Sequence, residues 1–489
     1  MFVGRAVSSG VRGTGWLMFA MVVVGLCRPL SAEIDPRMDV ARDAPAEIAP
    51  LDTPFDMPQL QRPKFADRVF NIRDYGAEPG GEKMCTEAIA KAIDACARAG
   101  GGRVLVPEGD WLTGPIHLQS NVNLHLADGA VVRFSQNFED YLPVVLIQRG
   151  GVRCYNYSPL IYARDCENIA VTGEGDATLD GQGKVWWPWK KKQPGMTWLL
   201  SDKGGKAPLE ERVFGTPEQG VRPPFVQFYS CRNVLLEGFT ITNTPSWTLH
   251  PVYCENVIVR KLNVLTYGAY NGDGIDPDSC RNMLIEYCYF DCGDDCIVLK
   301  AGRNHDAWAV GIPCENIVIR HCAMRRGHGA MTIGSEMSAG VRNVLAHDLI
   351  VHGTQRAIYV KTQPGRGGIV ENIHVRDVDI LGVGGQAIYL NTRYTSGNPD
   401  SRLPILRNIH INNVRCKKAK RAIKILGLSE QWIENVSFTD LKIHADKGVE
   451  TRYVRGLRFD RVKIMTDDSP VFTMKDTEVI EPASDLPSN

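Results

Sequence analysis

A short motif recurs along most of the chain: an apolar residue or cysteine, then Glu or Arg, then Asn, then a run of β-branched and apolar residues. From Asn233 onward, consecutive motif asparagines are separated by 23, 26, 34, 27, 29, 36 and 27 residues. A repeat of this length is typical of a solenoid, which grows by adding coils. The motif asparagines are Asn168, Asn233, Asn256, Asn282, Asn316, Asn343, Asn372, Asn408 and Asn435.

The residues after each asparagine indicate which kind of solenoid forms. Segments such as 256–260 and 316–320 are short, rich in β-branched residues and bounded by Gly, Asn or Asp, so they are predicted to be strands. Helical periodicity is absent from this region. The sequence therefore predicts an all-β parallel β-helix, in which the asparagines stack and each side-chain amide pairs with the next coil.

One segment near the N-terminus has the pattern of an amphipathic helix. Thr86 to Arg98 places Ile89, Ala92, Ile93 and Cys96 on one face, and the pattern stops at Gly100. Because the first coil of a solenoid needs a cover, we predict that this helix is the N-terminal cap.

The two ends of the chain have a different composition. Residues 1–32 resemble a secretory signal peptide that is cleaved near Ala32, so we expect export to the periplasm or the extracellular space. The apolar stretch is too short to span a membrane stably. We predict a proline-rich N-terminal arm at 33–66, the β-helix at 67–475 and a polar tail at 476–489.

Charge and cysteine content narrow the expected partners. Lys+Arg and Asp+Glu both number 56, so the net charge does not favour nucleic acid as a partner.

Five cysteines share the repeat position and are expected to be buried free thiols: Cys166, Cys231, Cys254, Cys280 and Cys314. The spacing of Cys288, Cys292 and Cys296 does not favour zinc. We expect a monomer with no cofactor and no bound metal.

Counting from the repeat asparagines aligns several acidic and basic residues. Asp294 and His328 both lie 12 residues after their asparagine, Asp295 and Arg356 lie 13 after theirs, and Lys300 and Lys361 lie 18 after theirs. Asp273 aligns with Asp295 by local pattern, since Asp-Gly-Ile at 273–275 matches Asp-Cys-Ile at 295–297. With coils about 4.8 Å apart, these residues are predicted to form a column on one face.

Such a column can perform acid–base chemistry. Three carboxylates this close are not all ionised, so one is expected to hold a proton while another acts as a base. Those are the two roles needed to cleave a glycosidic bond with water. His328 can tune the proton sharing, and Lys361 and Arg356 can bind an anionic sugar, with Tyr359 facing outward beside them.

These motifs resemble glycoside hydrolase family 28, the polygalacturonase family, from about Phe70 to Asp467. Its Asn-x-Asp, Gly-Asp-Asp and Gly-His-Gly motifs match 271–273, 293–295 and 327–329. The resemblance implies a single-stranded right-handed parallel β-helix and hydrolysis with inversion. It implies Asp295 as general acid, Asp273 and Asp294 as the groups that activate water, and His328 as their support. Expected substrate-binding residues are Lys361, Arg356, Tyr359, Tyr394, Arg366 and Asn271.

The chain departs from the family at one motif. Where the family has Arg-Ile-Lys, this chain has Tyr359-Val360-Lys361, so a bidentate partner for a sugar carboxylate is missing from its usual place. Either Arg356 or Arg366 replaces it, or the preferred sugar or linkage has changed.

A 65-residue gap separates Asn168 from Asn233 and contains Trp186, Trp187, Trp189, Lys190 and Trp198. This insertion either walls off one end of the cleft, which would give exo attack, or packs as a surface loop on its own tryptophans.

The leading hypothesis is a secreted hydrolase of α-linked galacturonic acid in pectic polysaccharide. The alternatives are an exo-acting galacturonidase on rhamnogalacturonan or branched pectin, a Ca²⁺-dependent polysaccharide lyase, and a non-catalytic β-helical binding protein.

Overall fold

The computed structural model of the chain describes residues 36–42, 44–397 and 402–480. The predicted signal peptide at 1–32 and its cleavage site lie outside these residues. Almost all the strands belong to one continuous coil in which each strand pairs in parallel with its equivalent one coil later. Val257, for example, aligns with Met283, and Met283 aligns with Ile317. The fold is the predicted right-handed parallel β-helix.

The coil has three faces, each made of stacked strands. The first contains the strands that follow the repeat asparagines: Val69–Asn71, Gly102–Val106, Val122–Leu126, Glu167–Gly173, Arg232–Glu237, Glu255–Arg260, Arg281–Glu286 and Cys314–Arg320. The second contains Gly109–Thr113, Ala130–Phe134, Thr178–Asp180, Thr240–Thr242, Asn263–Leu265, Tyr289–Asp291 and Ala323–Met324. The third contains Ile116–His117, Ile161–Arg164, Val226–Tyr229, Ile297–Leu299, Gly329–Gly334, Arg356–Lys361 and Gln386–Asn391.

In the later coils the strands run around corners and span more than one face. These long strands are Val341–His352, Ile369–Gly382, Ile405–Leu426 and Ile433–Met465. The last described strand, Phe472–Val479, continues past the predicted start of the polar tail at 476, because Thr477 pairs with Val454. A small separate sheet is formed by Val145–Arg149, Val152–Asn156 and Val213–Phe214.

The asparagine ladder forms as predicted. Asn256 Nδ2 donates to Asn233 Oδ1 at 3.1 Å, and the same bond recurs along the motif asparagines up to Asn435 and Asn408, at 3.2 Å. Each of these asparagines has a positive φ, 55° at Asn233 and 56° at Asn256. Asparagine tolerates this left-handed conformation better than other residues with a side chain, which explains why it occupies the corner of each coil.

A ladder of alternating charge runs beside the asparagines. The residue before each asparagine alternates strictly between Glu and Arg from Glu167 to Glu434, and Arg455 occupies the next equivalent position. Each arginine contacts the glutamate one coil earlier: Arg281 with Glu255 at 2.8 Å, and Arg342 with Glu315 at 2.6 Å. The neighbouring coils therefore attract each other at this corner.

The cysteines at the repeat position stack inside the coil, as predicted. Cys231, Cys254, Cys280 and Cys314 are buried and Cys166 is partly exposed. All the cysteines in the described part of the chain are free thiols, including Cys288, Cys292 and Cys296. They act as small apolar core residues beside the β-branched side chains.

The predicted cap is confirmed as an α-helix at Thr86–Arg98. Ile89, Ala92, Ile93 and Cys96 are buried and join the first coils in one core. Three further short helices, which the sequence reasoning did not predict, lie on loops: Pro194–Leu199, Asp202–Lys206 and Asn304–Val310. No helix in the described ranges combines the length and apolar character needed to cross a membrane.

The described part of the proline-rich arm lies along the outside of the first face. Leu60 packs there on apolar outward side chains such as Leu235, Ile258 and Leu284. Carbonyl oxygens of the arm accept hydrogen bonds from Arg260, which is fully buried and forms an ion pair with Glu286 at 2.9 Å. The arm therefore covers both an apolar stripe and a buried ladder of ion pairs.

Candidate active site

The parallel register brings the predicted acids and histidine together. Ile275 aligns with Ile297, and Ile297 aligns with Met331, so Asp273 and Asp295 occupy equivalent positions and Asp294 lies level with His328. The backbone N–H of His328 donates to the carbonyl oxygen of Asp294 at 2.9 Å. The column predicted by counting from the asparagines is therefore present for these four residues.

The two glycines of the Gly-His-Gly motif allow close contact with the acids. A Cβ atom on Gly327 would lie 2.5 Å from the carbonyl oxygen of Asp294, and one on Gly329 would lie 2.9 Å from Asp295 Oδ1. A larger residue at position 327 would therefore push against the backbone of the turn that carries Asp294, and one at position 329 would push against the side chains of Thr332 and Asp295.

The three carboxylates form one tight cluster. One oxygen from each of Asp273, Asp294 and Asp295 lies within 4.8 Å of the others. Asp273 and Asp295 are buried, whereas the side chain of Asp294 is 17% exposed. Asp273 Oδ1 and Asp295 Oδ1 have no hydrogen-bond partner within the described ranges, so each can accept a bond from a bound molecule.

Asp294 and His328 form an exposed acid–base pair. His328 Nδ1 lies 3.0 Å from Asp294 Oδ1, and the histidine side chain is 49% exposed. The hydrogen bond and the charge of Asp294 raise the pKa of His328. Burial is the largest single effect and acts to raise the pKa of Asp294, but the hydrogen bond and charge of His328, together with the charges of Lys361 and Lys300, lower the pKa overall. The pair therefore holds one proton at the surface of the cluster.

The pKa of Asp273 is shifted in the opposite direction from that of Asp294. Burial, followed by the charges of Asp276 and Asp294, raises the pKa of Asp273 well above the usual range. Burial also raises the pKa of Asp276, with Lys300 acting against it from 3.5 Å. The sequence-based expectation that one of several crowded carboxyls holds a proton thus agrees with the environment of Asp273.

Lys361 is the charge partner of Asp295. Its Nζ lies 2.6 Å from Asp295 Oδ2, and it also lines the cavity above the acids. Burial is the largest single effect and acts to lower the pKa of Lys361, but the charge and hydrogen bond of Asp295, together with Tyr394 and Asp294, raise the pKa overall. Lys300 occupies the equivalent place two coils earlier. Leu299 aligns with Ile333, so Lys300 lies level with Gly334, and Gly334 aligns with Lys361. The shared offset of 18 residues from the repeat asparagines predicted that Lys300 and Lys361 occupy equivalent positions.

The carboxylate cluster also has the spacing of a cation site, since three oxygens lie within 4.8 Å of one another. Two of the three acids, however, already have positive partners: Asp295 has Lys361 and Asp294 has His328. The carboxylates of Asp294 and Asp295 are therefore already paired with side-chain cations, and this arrangement suits the sharing of protons between them.

A cavity of about 820 Å³ opens above the cluster. Asp273, Asp294, His328 and Lys361 lie on its floor, and its walls carry several cations together with aromatic side chains. Further lining residues are Lys190, Trp247, Asn271, Arg303, Glu336, Arg366 and Tyr394. A site of this composition suits a ligand that carries both hydroxyl groups and negative charge.

Three residues of the expected substrate-binding set line this cavity beside Lys361. Arg366 is 3% exposed and is held by Ser335 O and Asn304 Oδ1, and burial lowers its pKa to about 10. Tyr394 has its ring 5.4 Å from Lys361 Nζ. Asn271 donates to Asp294 Oδ2 at 3.4 Å and accepts from the buried Arg222, so it fixes the cavity wall against the acids.

Arg356 and Tyr359 do not line the cavity. Tyr359 faces outward from the coil as predicted but is only 3% exposed, because its ring stacks on Tyr389 at 5.4 Å and lies under the Arg356 guanidinium at 4.7 Å. Arg356 also donates to Gln386 Oε1 at 3.0 Å. Of the two arginines considered as replacements for the missing family arginine, Arg366 is the one at the cavity.

The insertion packs on its own tryptophans, which is one of the two alternatives that the sequence left open, and it also contributes a residue to the cavity. Trp186 is fully buried and packs against Trp189 at 4.8 Å and Phe138 at 4.5 Å, so these tryptophans form a local core. Lys190, next in sequence, extends into the cavity and makes no hydrogen bond or ion pair with any described residue. Burial and the charges of Arg222 and Arg149 lower the pKa of Lys190.

The sequence reasoning missed several cavity residues that lie on connecting loops. Arg303 and Glu336 are in contact at 3.7 Å, and Glu336 also contacts Lys300 at 3.1 Å. Arg149, the last residue of the strand Val145–Arg149, does not line the cavity, but its guanidinium lies 4.7 Å from the ring of Trp247, which does. Loop lengths differ from coil to coil, so no fixed offset from the asparagines places these residues.

Comparisons with known proteins agree with this geometry. The model of glycosyl hydrolases family 28 matches residues 211–458. A probable polygalacturonase of Vitis vinifera is 28% identical over 387 residues, covering 76% of this chain and 74% of the relative. An exo-poly-alpha-D-galacturonosidase of Dickeya chrysanthemi is 28% identical over 422 residues, covering 77% and 67%.

A solved structure gives the same result. The hyperthermoactive exopolygalacturonase of Thermotoga maritima is 39% identical, with a TM-score of 0.77 over 86% of this chain and 93% of that one. With the family model matching half of this chain and the carboxylate cluster on the predicted face, the chain belongs to glycosyl hydrolases family 28 and is a glycosidase.

Proposed function

We propose that this glycosidase hydrolyses α-linked galacturonic acid in pectic polysaccharide. The observation that carries the proposal is the cluster of Asp273, Asp294 and Asp295 beneath a cavity whose walls supply Lys190, Arg366 and Lys361. The carboxyls provide the acid and the base for hydrolysis, and the cations match the negative charge of a uronic acid. The polygalacturonase relatives share this substrate class by name.

We propose a different distribution of roles among the acids than the family resemblance implied. Buried Asp295 accepts a hydrogen bond from the Lys361 ammonium at 2.6 Å, so its carboxylate faces a fixed cation, and we propose that it acts as a base rather than as the proton donor. Asp294 is the most exposed of the three and shares a proton with His328. We therefore assign the general acid to Asp294 instead of Asp295.

The proposed reaction consumes one water molecule. Above the raised pKa of Asp273, both Asp273 and Asp295 accept hydrogen bonds from the water, and Asp295 takes its proton as the oxygen attacks the anomeric carbon. The single proton of the pair passes from His328 through Asp294 to the departing glycosidic oxygen, and solvent then carries the proton gained by Asp295 back to His328. The carboxylate spacing is shorter than the ~6.5–9.5 Å usual for inverting enzymes, so the proposal of inversion rests on the family resemblance.

A direct digest tests this function. Polygalacturonate incubated with the enzyme and EDTA should release reducing ends without the ultraviolet absorbance of unsaturated products. Calcium-dependent products that absorb would instead support the lyase alternative. Proton NMR of the first product should show the β-anomer, and an initial α-anomer would contradict inversion.

A second candidate, exo attack, is favoured by the position of the insertion. Lys190 lines the cavity from the insertion, which follows the early coils, so this loop contributes to the wall around the acids. We propose that the terminal sugars of the chain bind between this loop and the carboxylates. The exo-acting relatives at 28% and 39% identity support this assignment. We also propose that the protein is exported, on the sequence of residues 1–32, and that it is a monomer.

A further inference from the structure

The guanidinium of Arg366, which lines the cavity, is held at two of its three nitrogens. Nε donates to Ser335 O at 3.0 Å, and Nη1 donates to Asn304 Oδ1 at 2.8 Å. Within the described ranges Nη2 has no hydrogen-bond partner, so it is the nitrogen that a bound carboxylate can contact. The orientation of this arginine therefore depends on the segment that carries Asn304.

That segment is the helix Asn304–Val310, which we call the connecting helix. It also holds the backbone of Arg366, because Trp308 Nε1 donates to Arg366 O at 2.9 Å. Arg303, a second arginine that lines the cavity, immediately precedes the helix, and its backbone N–H donates to Gly151 O at 2.8 Å. The connecting helix thus follows one cavity arginine directly and holds the other at two points.

Asp306 attaches the opposite face of the connecting helix to the protein. Asn304 and Trp308 are four residues apart and share one face, whereas Asp306 lies midway between them and points away from that face. Its Oδ1 accepts from Arg212 Nη1 at 2.7 Å and from Arg153 Nη2 at 3.0 Å. Its Oδ2 accepts from the Nε and the backbone N–H of Arg153 at 3.0 and 3.1 Å. Hydrogen bonds between charged groups are among the stronger ones in proteins, so this attachment is firm.

The environment of Asp306 keeps its carboxylate charged. The side chain is 2% exposed, and burial, the largest single effect, acts to raise its pKa. The hydrogen bonds from Arg153 and Arg212, together with the charge of Arg153, lower the pKa overall. The ionised form is therefore the one that holds the helix.

The partners of Asp306 belong to the small separate sheet. Arg153 lies in the strand Val152–Asn156, and Arg212 directly precedes the strand Val213–Phe214, which the insertion contributes. The buried guanidinium of Arg212 also donates to two carbonyl oxygens of the insertion, at 2.9 and 3.0 Å. The connecting helix is therefore fixed to the insertion as well as to the sheet.

We propose that Asp306 is a positioning residue for the cavity arginine Arg366. Asp306 does not line the cavity. It fixes the connecting helix, which in turn fixes Arg366 through Asn304 and Trp308. An ordered guanidinium binds a carboxylate more tightly than a mobile one, because less conformational entropy is lost on binding. This inference rests on the proposed function, because the ligand is the carboxylate of the uronic acid substrate.

Two similar ion pairs provide a variant and its matched control. Arg153→Gln removes the partner of Asp306 that is 30% exposed and leaves the buried Arg212 paired. Arg62→Gln is the control, because Arg62 is 28% exposed and forms an equivalent two-bond ion pair with Glu237. That pair attaches the proline-rich arm to the first face and does not line the cavity.

Two further variants act on the two faces of the connecting helix. Asp306→Asn removes the charge that both arginines contact. Asn304→Gly removes the amide that holds Arg366, and glycine tolerates the φ of 48° at this position. Asn304→Gly and Arg153→Gln leave Asp306 ionised and paired, so they decide the outcome if the third variant does not fold. Each helix variant is also combined with Arg366→Gln, initial rates on trigalacturonate give kcat and KM, and circular dichroism melts check folding.

We expect Asp306→Asn and Asn304→Gly to raise the KM for trigalacturonate about tenfold, with kcat changed by less than about twofold. Arg153→Gln should raise the KM about threefold, whereas Arg62→Gln should leave it unchanged. In the Arg366→Gln background both helix variants should add less than about twofold, because the arginine that they position is absent. Equal factors in the two backgrounds, or equal effects of Arg153→Gln and Arg62→Gln, would overturn the proposal. A parent enzyme that does not cleave trigalacturonate would contradict the proposed function instead.

Discussion

Lys361 Nζ lies 2.6 Å from Asp295 Oδ2, and the two side chains are 11% and 1% exposed. A charge this deeply buried needs its partner, because an unpaired buried ion is far more costly than a paired one. The contact connects the fold with the chemistry, since the ion pair joins Lys361, the last residue of the strand Arg356–Lys361, to a carboxylate of the catalytic cluster.

The first prediction concerns this pair. Lys361→Gln should lower the free energy of unfolding by roughly 3 kcal/mol, because it leaves the Asp295 carboxylate buried without a cation. Asp295→Asn combined with Lys361→Gln should recover much of that loss, since both charges are then absent. Urea denaturation of the single and double variants measures the coupling, and a double variant no more stable than Lys361→Gln would show that the pair is not coupled.

The second prediction is a bell-shaped pH profile for kcat/KM. The rate should fall as the pH drops through the raised pKa of Asp273, because a protonated carboxyl cannot accept the proton of water. It should also fall as the pH rises through the raised pKa of His328, because the Asp294–His328 pair then loses the proton that it donates. The two limbs report the behaviour of coupled groups rather than single residues.

Replacement of His328 tests the assignment of the alkaline limb. In His328→Gln the proton must be held by Asp294 alone, so this limb should move to lower pH by roughly one to two units. His321→Gln is a suitable control, because His321 lies on another face, stacked on Tyr287. An alkaline limb that stays in place in the His328 variant would mean that another group carries the proton.

The third prediction concerns the insertion. Lys190→Gln should raise the KM for short oligogalacturonides about tenfold, which corresponds to about 1.4 kcal/mol of binding free energy. The reason is that Lys190 is a cavity cation with no described partner to neutralise it. Lys191→Gln, one residue further and exposed, is the matched control. Identical kinetics of the two variants on oligomers of two to four sugars would remove Lys190 from the binding site.

The fourth prediction concerns the alternating ladder. Glu315→Arg should destabilise the protein, because it places positive charge between Arg281 and Arg342, and adding Arg342→Glu should restore part of the stability. The pair is partly exposed, so the coupling free energy should be about 0.2–1 kcal/mol. Thermal or urea unfolding of the two single variants and the double variant measures it. A coupling of zero would mean that the ladder reflects solubility rather than attraction between coils.

The features that the sequence predicts well are those that repeat. Asn256 and its equivalents occupy a fixed left-handed corner, so counting from them locates Asp294, His328 and Lys361 without knowledge of the loops. The cap at Thr86–Arg98 is equally clear, because its apolar face has helical periodicity in a chain that otherwise lacks it.

The features that the sequence reasoning did not predict depend on contacts between distant segments. Arg356 has the right offset, yet the Tyr359–Tyr389 stack holds it away from the cavity. Glu336 and Arg303 reach the cavity from loops of irregular length. The choice of acid between Asp294 and Asp295 depends on which of them Lys361 contacts, and neighbouring positions in a turn do not reveal that.

The central claim is that Asp294 donates the proton while Asp295 acts as a base, and leaving-group dependence tests it most directly. Asp294→Asn and Asp295→Asn are compared on polygalacturonate and on 4-nitrophenyl galacturonide, whose leaving group needs no proton. Asp294→Asn should lose about 10²–10⁴-fold on the polymer and far less on the nitrophenyl substrate, whereas Asp295→Asn should lose similar factors on both. Recovery of Asp295→Asn, and not of Asp294→Asn, on the nitrophenyl substrate would contradict the account.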